Sequence, residues 1–236
     1  MAQPPDSEAI AFFRAARSRV LDEVAAVCRR AGRDPDVTLV AVSKTVDPSR
    51  LQAAVAAGLT VLGENRVQEA GSKAALVPGV RWHLIGPLQS NKARRAVELF
   101  DVIESVDTLD LARRLDRVVG EVAAGPLGVY LQVNVDSDEA KAGFQPETLE
   151  GELPAVAGLR NLRLMGLMTV GRLAATAEEA RPTFVRLREL SARLRAGVAE
   201  LGPGLSMGMS DDYTVAVEEG ATVIRVGRAL FGARPG

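Results

Sequence analysis

Eight short apolar runs alternate with helix-patterned segments along the whole chain, and this rhythm restricts the fold more than any other feature. The runs are Val37–Ser43, Thr60–Gly63, Arg81–Ile85, Val102–Ser105, Gly128–Val133, Leu162–Gly166, Leu205–Met207 and Thr222–Val226. Those at residues 37–42 and 129–133 are almost continuously apolar, the pattern of parallel strands covered on both faces. Between runs the apolar spacing lengthens to three or four, most clearly at Ala180, Phe184, Leu187, Leu190, Leu194, Val198 and Leu201. Thr176 and Glu179 have capping-box spacing for that helix, and Pro182 near its first turn leaves the start open by a few residues.

Strand-then-helix repeated eight times predicts an α/β fold, a (β/α)8 barrel of the TIM type. An amphipathic helix with Ile10, Phe13, Val20, Val24 and Val27 on one stripe precedes the first strand, and few residues follow the eighth. The extra N-terminal helix is therefore expected to pack where an eighth barrel helix would sit. A doubly wound open sheet is the alternative, weakened because no Gly-x-Gly-x-x-Gly follows the first strand. With no repeats or linkers, one domain over residues 1–236 is expected.

Charge and rare residues remove several function classes. Lys plus Arg number 29 against 30 Asp plus Glu, so no general attraction for nucleic acid is expected. No run of apolar residues is long enough for a membrane span, and residues 1–6 resemble no leader, so a cytoplasmic protein is expected. The chain has one cysteine, Cys28, and one histidine, His83, too few for a disulfide or a Cys/His zinc site. Lysine, carboxylate, tyrosine or cofactor chemistry remains.

Function in such barrels lies at the C-terminal strand ends. These ends present Lys44, Glu64-Asn65, Gly86 with Gln89-Ser90-Asn91-Lys92, Asn134, Met168-Thr169, Ser210 and Arg225-Val226-Gly227-Arg228. Lys44 emerges from a buried strand, where desolvation favours the neutral amine and hence a nucleophile for a carbonyl. The plainer reading is a strand-end lysine whose ammonium reaches water. Loops after strands seven and eight commonly hold phosphate in barrels. Here Ser210 offers a hydroxyl, and the amides of Gly227 and Arg228 open a short last helix. Equally, Ser210 would serve as the N-cap of a helix over 211–219, with Asp211 and Asp212 complementing its dipole, and Gly227 as a tight turn.

Taken together, Ala41–Thr45, Gly63–Glu69, His83–Lys92, Val133–Val135, Gly166–Met168, Leu205–Ser210 and Arg225–Gly227 make an ordered set running through the chain. On these residues the chain resembles the pyridoxal phosphate homeostasis protein family, related to the N-terminal barrel of alanine racemase. The resemblance implies a fold-type-III barrel holding pyridoxal 5'-phosphate as a Schiff base on Lys44. It implies phosphate contacts from Met209-Ser210 and from the amides around Gly227 and Arg228, Asn65 beside the cofactor, and Arg225 facing the pyridine nitrogen. It also implies a protein that buffers or delivers the cofactor and affects amino-acid and keto-acid balance, with no established turnover. Apo forms of enzymes that use the cofactor are the candidate recipients, and a monomer is expected. The alternative is a small fold-type-III enzyme such as an amino-acid racemase.

Two positions depart from the family pattern. Val46-Asp47-Pro48 stands where many members have Lys-Pro, and Arg228 stands where many have Thr or Ser. The guanidinium of Arg228 is a candidate phosphate partner in place of the missing hydroxyl.

Arg225 lacks acceptor atoms, so at the pyridine nitrogen it would favour the unprotonated ring and a weaker electron sink. Alanine racemase takes a second acid-base group, a tyrosine, from another domain. The tyrosines here, Tyr130 and Tyr213, read as core and as packing or surface respectively. Trp82 and His83 read as structural residues of opposite facing, Cys28 as buried, and Lys92 and Lys141 as solvated lysines at the mouth.

Overall fold

Strands buried on both faces need cover from two sides, and a closed barrel supplies it with its own interior and a ring of helices. The computed structural model describes residues 6–171 and 175–232; residues 1–5, on which most of the leader reading rests, lie outside them. All eight runs form strands: β1 (Thr38–Val42), β2 (Val61–Glu64), β3 (Arg81–Leu84), β4 (Val102–Val106), β5 (Leu127–Gln132), β6 (Leu162–Met168), β7 (Gly204–Ser206) and β8 (Val223–Val226). Every pairing is parallel. β8 closes on β1 in the register Val40↔Arg225, so the open-sheet alternative is excluded.

The helices are α1 (Ser7–Arg30), α2 (Pro48–Ala56), α3 (Val67–Ala74), α4 (Ala93–Leu99), α5 (Leu109–Val122), α6 (Pro146–Ala157), α7 (Ala177–Gly197), α8 (Tyr213–Glu218) and α9 (Arg228–Phe231). Helix α1 buries Phe13, Ala16, Val20, Val24, Val27 and Cys28, with Ile10 only partly covered. It packs against α2, α8 and α9, filling the gap expected of it. Phe13 meets Phe231 edge-on at 5.5 Å, which fastens the first helix to the last.

Alternation along each strand makes two cores. Val40, Val102, Tyr130, Met168 and Val223 pack in the barrel interior, while Ala41, Leu62, Ile103, Leu131 and Ile224 join the larger cluster beneath the helices. Trp82 joins the outer cluster. His83 is paired with Gly63, whose missing Cβ would meet Val40 and Ile85 of the inner set, so the two residues do face opposite ways.

The helix expected through Leu201 ends at Gly197 instead. The amide of Gly202 donates to the carbonyl of Leu164 at 2.9 Å, drawing the chain towards β7 before another turn can form. At the other end of α7, Thr176 accepts from the Glu179 amide, but the Glu179 carboxylate accepts from Ala175. Among the described residues, no helix is long and apolar enough to cross a membrane.

Candidate functional site

Inward-facing positions on β1 alternate from Val40 through Val42 to Lys44, which places the lysine side chain at the mouth over an apolar column. Lys44 lines a cavity of about 260 Å³ together with Val42, Thr45, Arg50, Gly227 and Arg228. The expected lysine and the expected glycine turn therefore share one cavity.

On the side of this cavity formed by the last two loops, the Ser210 hydroxyl accepts from the amide of Gly227 at 3.2 Å and from that of Ala229 at 3.5 Å. Ser210 is thus not the N-cap of the following helix. That helix starts at Tyr213, and the loop before it is closed by the Asp212 carboxylate, which accepts from the Met209 amide at 2.6 Å. That bond braces the loop, and burial pushes the Asp212 carboxyl up. Met209 itself is exposed at the rim.

Arg225 is 4% exposed and belongs to a polar column inside the barrel that sequence reasoning did not resolve. Its guanidinium donates to the Ser206 hydroxyl and, at 2.7 Å, to the Thr169 carbonyl. Ser206 in turn donates to Glu104 at 2.5 Å, and the other Glu104 oxygen meets His83 Nδ1 at 2.6 Å. Burial works against the Glu104 anion, but His83, Arg225 and Ser206 outweigh it and hold the carboxyl below the usual range. For Arg225 burial wins, lowering its affinity for the proton against the pull of Glu104 and Asp212. A charge in the middle of the strand Val102-Ile-Glu-Ser-Val106 was the available signal, because a buried carboxylate requires partners.

Other expected mouth residues fall elsewhere. Glu64 does not join the polar ring: it is 0% exposed and faces outward beneath α3, because inward-facing Gly63 precedes it. Asn65 lines a separate, larger cleft of about 710 Å³ with Arg66, Gln68, Pro87, Gln89 and Lys92. Asn134 is buried and braces its own loop, donating to Asp138 O at 2.8 Å. Lys141 is not simply solvated, since its ammonium donates to the Gly171 carbonyl at 3.1 Å and lies 3.5 Å from Asp138. The Arg228 side chain, 62% exposed, pairs with Asp211. Asp47, where the family pattern has a lysine, caps α2 by accepting from the Ser49 amide at 2.8 Å, with Pro48 in the first turn.

Both tyrosine hydroxyls are engaged away from the Lys44 cavity. Tyr213 bonds Glu23 of α1, and Tyr130 reaches Thr222 and lies against Gly204, at the N-terminal ends of β8 and β7. Burial pushes the Tyr130 phenol up to about 12.

The close approach of Gly86 to the loop after β2 sets the position of Asn65. A Cβ at Gly86 would lie 2.5 Å from the Asn65 carbonyl oxygen and 2.7 Å from its Cα. Gly86→Ala is therefore expected to shift that loop and cost about 1–3 kcal/mol, measured by urea unfolding.

Comparison with known proteins was consistent across sequence and structure. The family model described as alanine racemase, N-terminal domain, matches residues 17–235. The pyridoxal phosphate homeostasis protein of Pseudomonas aeruginosa is 45% identical over 222 residues, covering 92% of this chain and 94% of that one. PipY of Synechococcus elongatus, solved with PLP bound, is 44% identical with a TM-score of 0.80, covering 90% of this chain and 100% of that one. An alanine racemase from Clostridium difficile shares the fold at 13% identity and a TM-score of 0.73, covering 96% of this chain and 58% of that one.

Proposed function

Since this chain belongs to the pyridoxal phosphate homeostasis protein family, within the wider alanine racemase N-terminal domain family, we propose that it holds pyridoxal 5'-phosphate covalently on Lys44 and serves to store and deliver it. One observation carries the reading. Lys44 shares a single cavity with Gly227, whose amide converges with that of Ala229 on the Ser210 hydroxyl. Two N–H groups already aimed at one oxygen, with a hydroxyl proton to spare, form a donor set that suits a phosphate. When bound, the cofactor supplies an aldehyde carbon open to attack by a primary amine.

The chain's own residues do the rest. Lys44 provides the amine, and Ser210, Gly227 and the adjoining amides of Arg228 and Ala229 bind the anion. Met209 would flank the site from the rim, and Asn65, which lines the separate cleft, would approach it from the β2 side. Arg225, fixed by Ser206 and Thr169, would offer N–H donors and a positive charge to the pyridine nitrogen and so favour its unprotonated form. The Arg228 guanidinium is occupied by Asp211, so its contribution is its backbone amide.

Storage is favoured over turnover because a racemase needs two positioned proton-transfer groups, each contributing roughly 10²–10⁴-fold. Both tyrosine hydroxyls are committed to partners outside the cavity. This reading carries with it one cytoplasmic domain over residues 1–236, monomeric, with apo enzymes that use the cofactor as recipients.

Borohydride reduction of the loaded protein, followed by peptide mapping, tests the attachment: the label is expected on Lys44 alone. Incubation with D- and L-amino acids in heavy water tests the storage role, with no exchange of the α-hydrogen expected. A label on another residue would refute the first part, and rapid exchange the second.

A further inference from the structure

Directly behind Lys44 lies a buried charged cluster that the reading above leaves unused. Lys73 of α3 is 5% exposed, and its ammonium makes three bonds: to Glu64 Oε1 at 2.9 Å, to Glu69 Oε1 at 2.7 Å and to the carbonyl of Ser43 at 2.8 Å. Ser43, fully buried, donates its hydroxyl to the same Glu64 oxygen at 2.7 Å. Glu69 accepts from the amide of Thr45 at 2.5 Å. The residues on either side of Lys44 are therefore both tied to one ammonium, directly at Ser43 and through Glu69 at Thr45.

The tie has a backbone counterpart. Thr45 sits at φ 65°, in the left-handed region that a β-branched residue seldom occupies. Strain of this kind persists only where the surroundings enforce it. The Glu69 carboxylate on the Thr45 amide supplies that constraint. The Val46 amide returns to the Ser43 carbonyl at 3.0 Å and completes the bend. The outward facing of Ser43 and Glu64 places this machinery under the helices, while Lys44 points the opposite way into the mouth.

A structural role alone accounts poorly for the arrangement. Burying Glu64 with the Lys73 ammonium, and leaving Glu69 only partly exposed beside them, is a costly way to fill the space between a strand and a helix, and apolar residues of similar volume are often as good or better. The cost is already visible at Glu64: burial pushes its carboxyl up despite Lys73 and Ser43, and its Oε2 has no hydrogen-bond partner among the described residues.

We infer that Lys73, with Glu64 and Glu69, is the positioning device for Lys44, fixing the strand-end bend so that the amine meets the aldehyde carbon of a ligand whose phosphate is seated across the cavity. This inference rests on the attachment proposed above. Misplacement by about 1 Å of one reacting partner costs on the order of a hundredfold where proximity matters.

The experiment compares two ligands that share ring and phosphate: pyridoxal 5'-phosphate, and pyridoxine 5'-phosphate, which carries an alcohol in place of the aldehyde. Affinities for both and the borohydride-fixed label on Lys44 are measured for the full chain, Lys73→Met, Glu69→Ala and Glu69→Gln. Expected is a loss of at least tenfold for the aldehyde in Lys73→Met and Glu69→Ala, with alcohol binding unchanged. Glu69→Gln keeps an acceptor for the Thr45 amide and should recover most of the loss. Glu69 lies at the edge of the cluster, so Glu69→Ala folds even if Lys73→Met does not. Equal loss for both ligands, or no loss for either, would overturn the inference while the attachment stands. Absence of a Lys44 label in the unaltered protein would overturn both.

Discussion

Lys44→Ala is expected to lose the borohydride-fixed label and the visible absorbance of the loaded protein completely, with the fold intact. The side chain leaves the strand at the mouth and is only partly buried, so its truncation leaves no cavity in either core. What survives is the proposed anion cradle: the bonds from the Gly227 and Ala229 amides to Ser210 do not involve Lys44. Residual, non-covalent binding of pyridoxal 5'-phosphate should therefore remain, weaker by on the order of a hundredfold, or about 2.7 kcal/mol. Equilibrium dialysis measures that change. Unaltered affinity would show that the amine is a bystander, and complete loss of binding would show that the phosphate site has been placed wrongly.

The second large effect is expected inside the barrel. Glu104→Gln removes the charged partner that joins His83, Ser206 and Arg225 into one column. Arg225 is then a buried cation with Asp212 as its remaining electrostatic support. Breaking a buried charged pair from one side typically costs about 3–5 kcal/mol, and urea unfolding at neutral pH should show a loss of that size. The pH dependence follows from the sign of the shift. The folded-state carboxyl of Glu104 lies below its ordinary value of 4.5, so its contribution is fully present above that value. It disappears as pH falls through the lowered folded value, where the native state must take up a proton. Stability of the unaltered protein should drop in that acid range, and the Glu104→Gln protein should lack that part of the drop. Parallel acid profiles for the two proteins would refute the assignment.

These expectations differ in how much of each was legible beforehand. Lys44, Ser210, Arg225 and Gly227 could be picked out because a barrel collects its strand ends on one face, and because the chain resembles a family with these motifs in order. Glu64 was misread for a local reason. The residue stands at a strand end, but whether it faces the mouth or the helices depends on the parity of a single step, and Gly63 takes the inward position. Ser210 was ambiguous between a cap and an anion donor, since both uses need only a hydroxyl next to a helix start. The fold removed the cap reading, since the helix starts at Tyr213 and the hydroxyl instead accepts from the amides of residues 227 and 229, 17 and 19 residues further along. The Lys73 cluster had no comparable signal: Glu69 and Lys73 stand at i and i+4, a spacing common on exposed helix faces, and only the packing of α3 over the end of β1 buries Lys73.

The order of strands and helices, the closing role of α1 and the lysine at the first strand end are properties of the linear chain. Apolar periodicity and spacing are local quantities, and local quantities survive in a string of letters. Which carboxylate neutralises Arg225, which hydroxyl gathers the amides of the last loop, and what braces the backbone on both sides of Lys44 are decided by contacts between segments far apart in the chain, 102 residues for Ser206 with Glu104 and more for Arg225 with Glu104. Such contacts depend on distance and facing in three dimensions, and only closure of the barrel sets those.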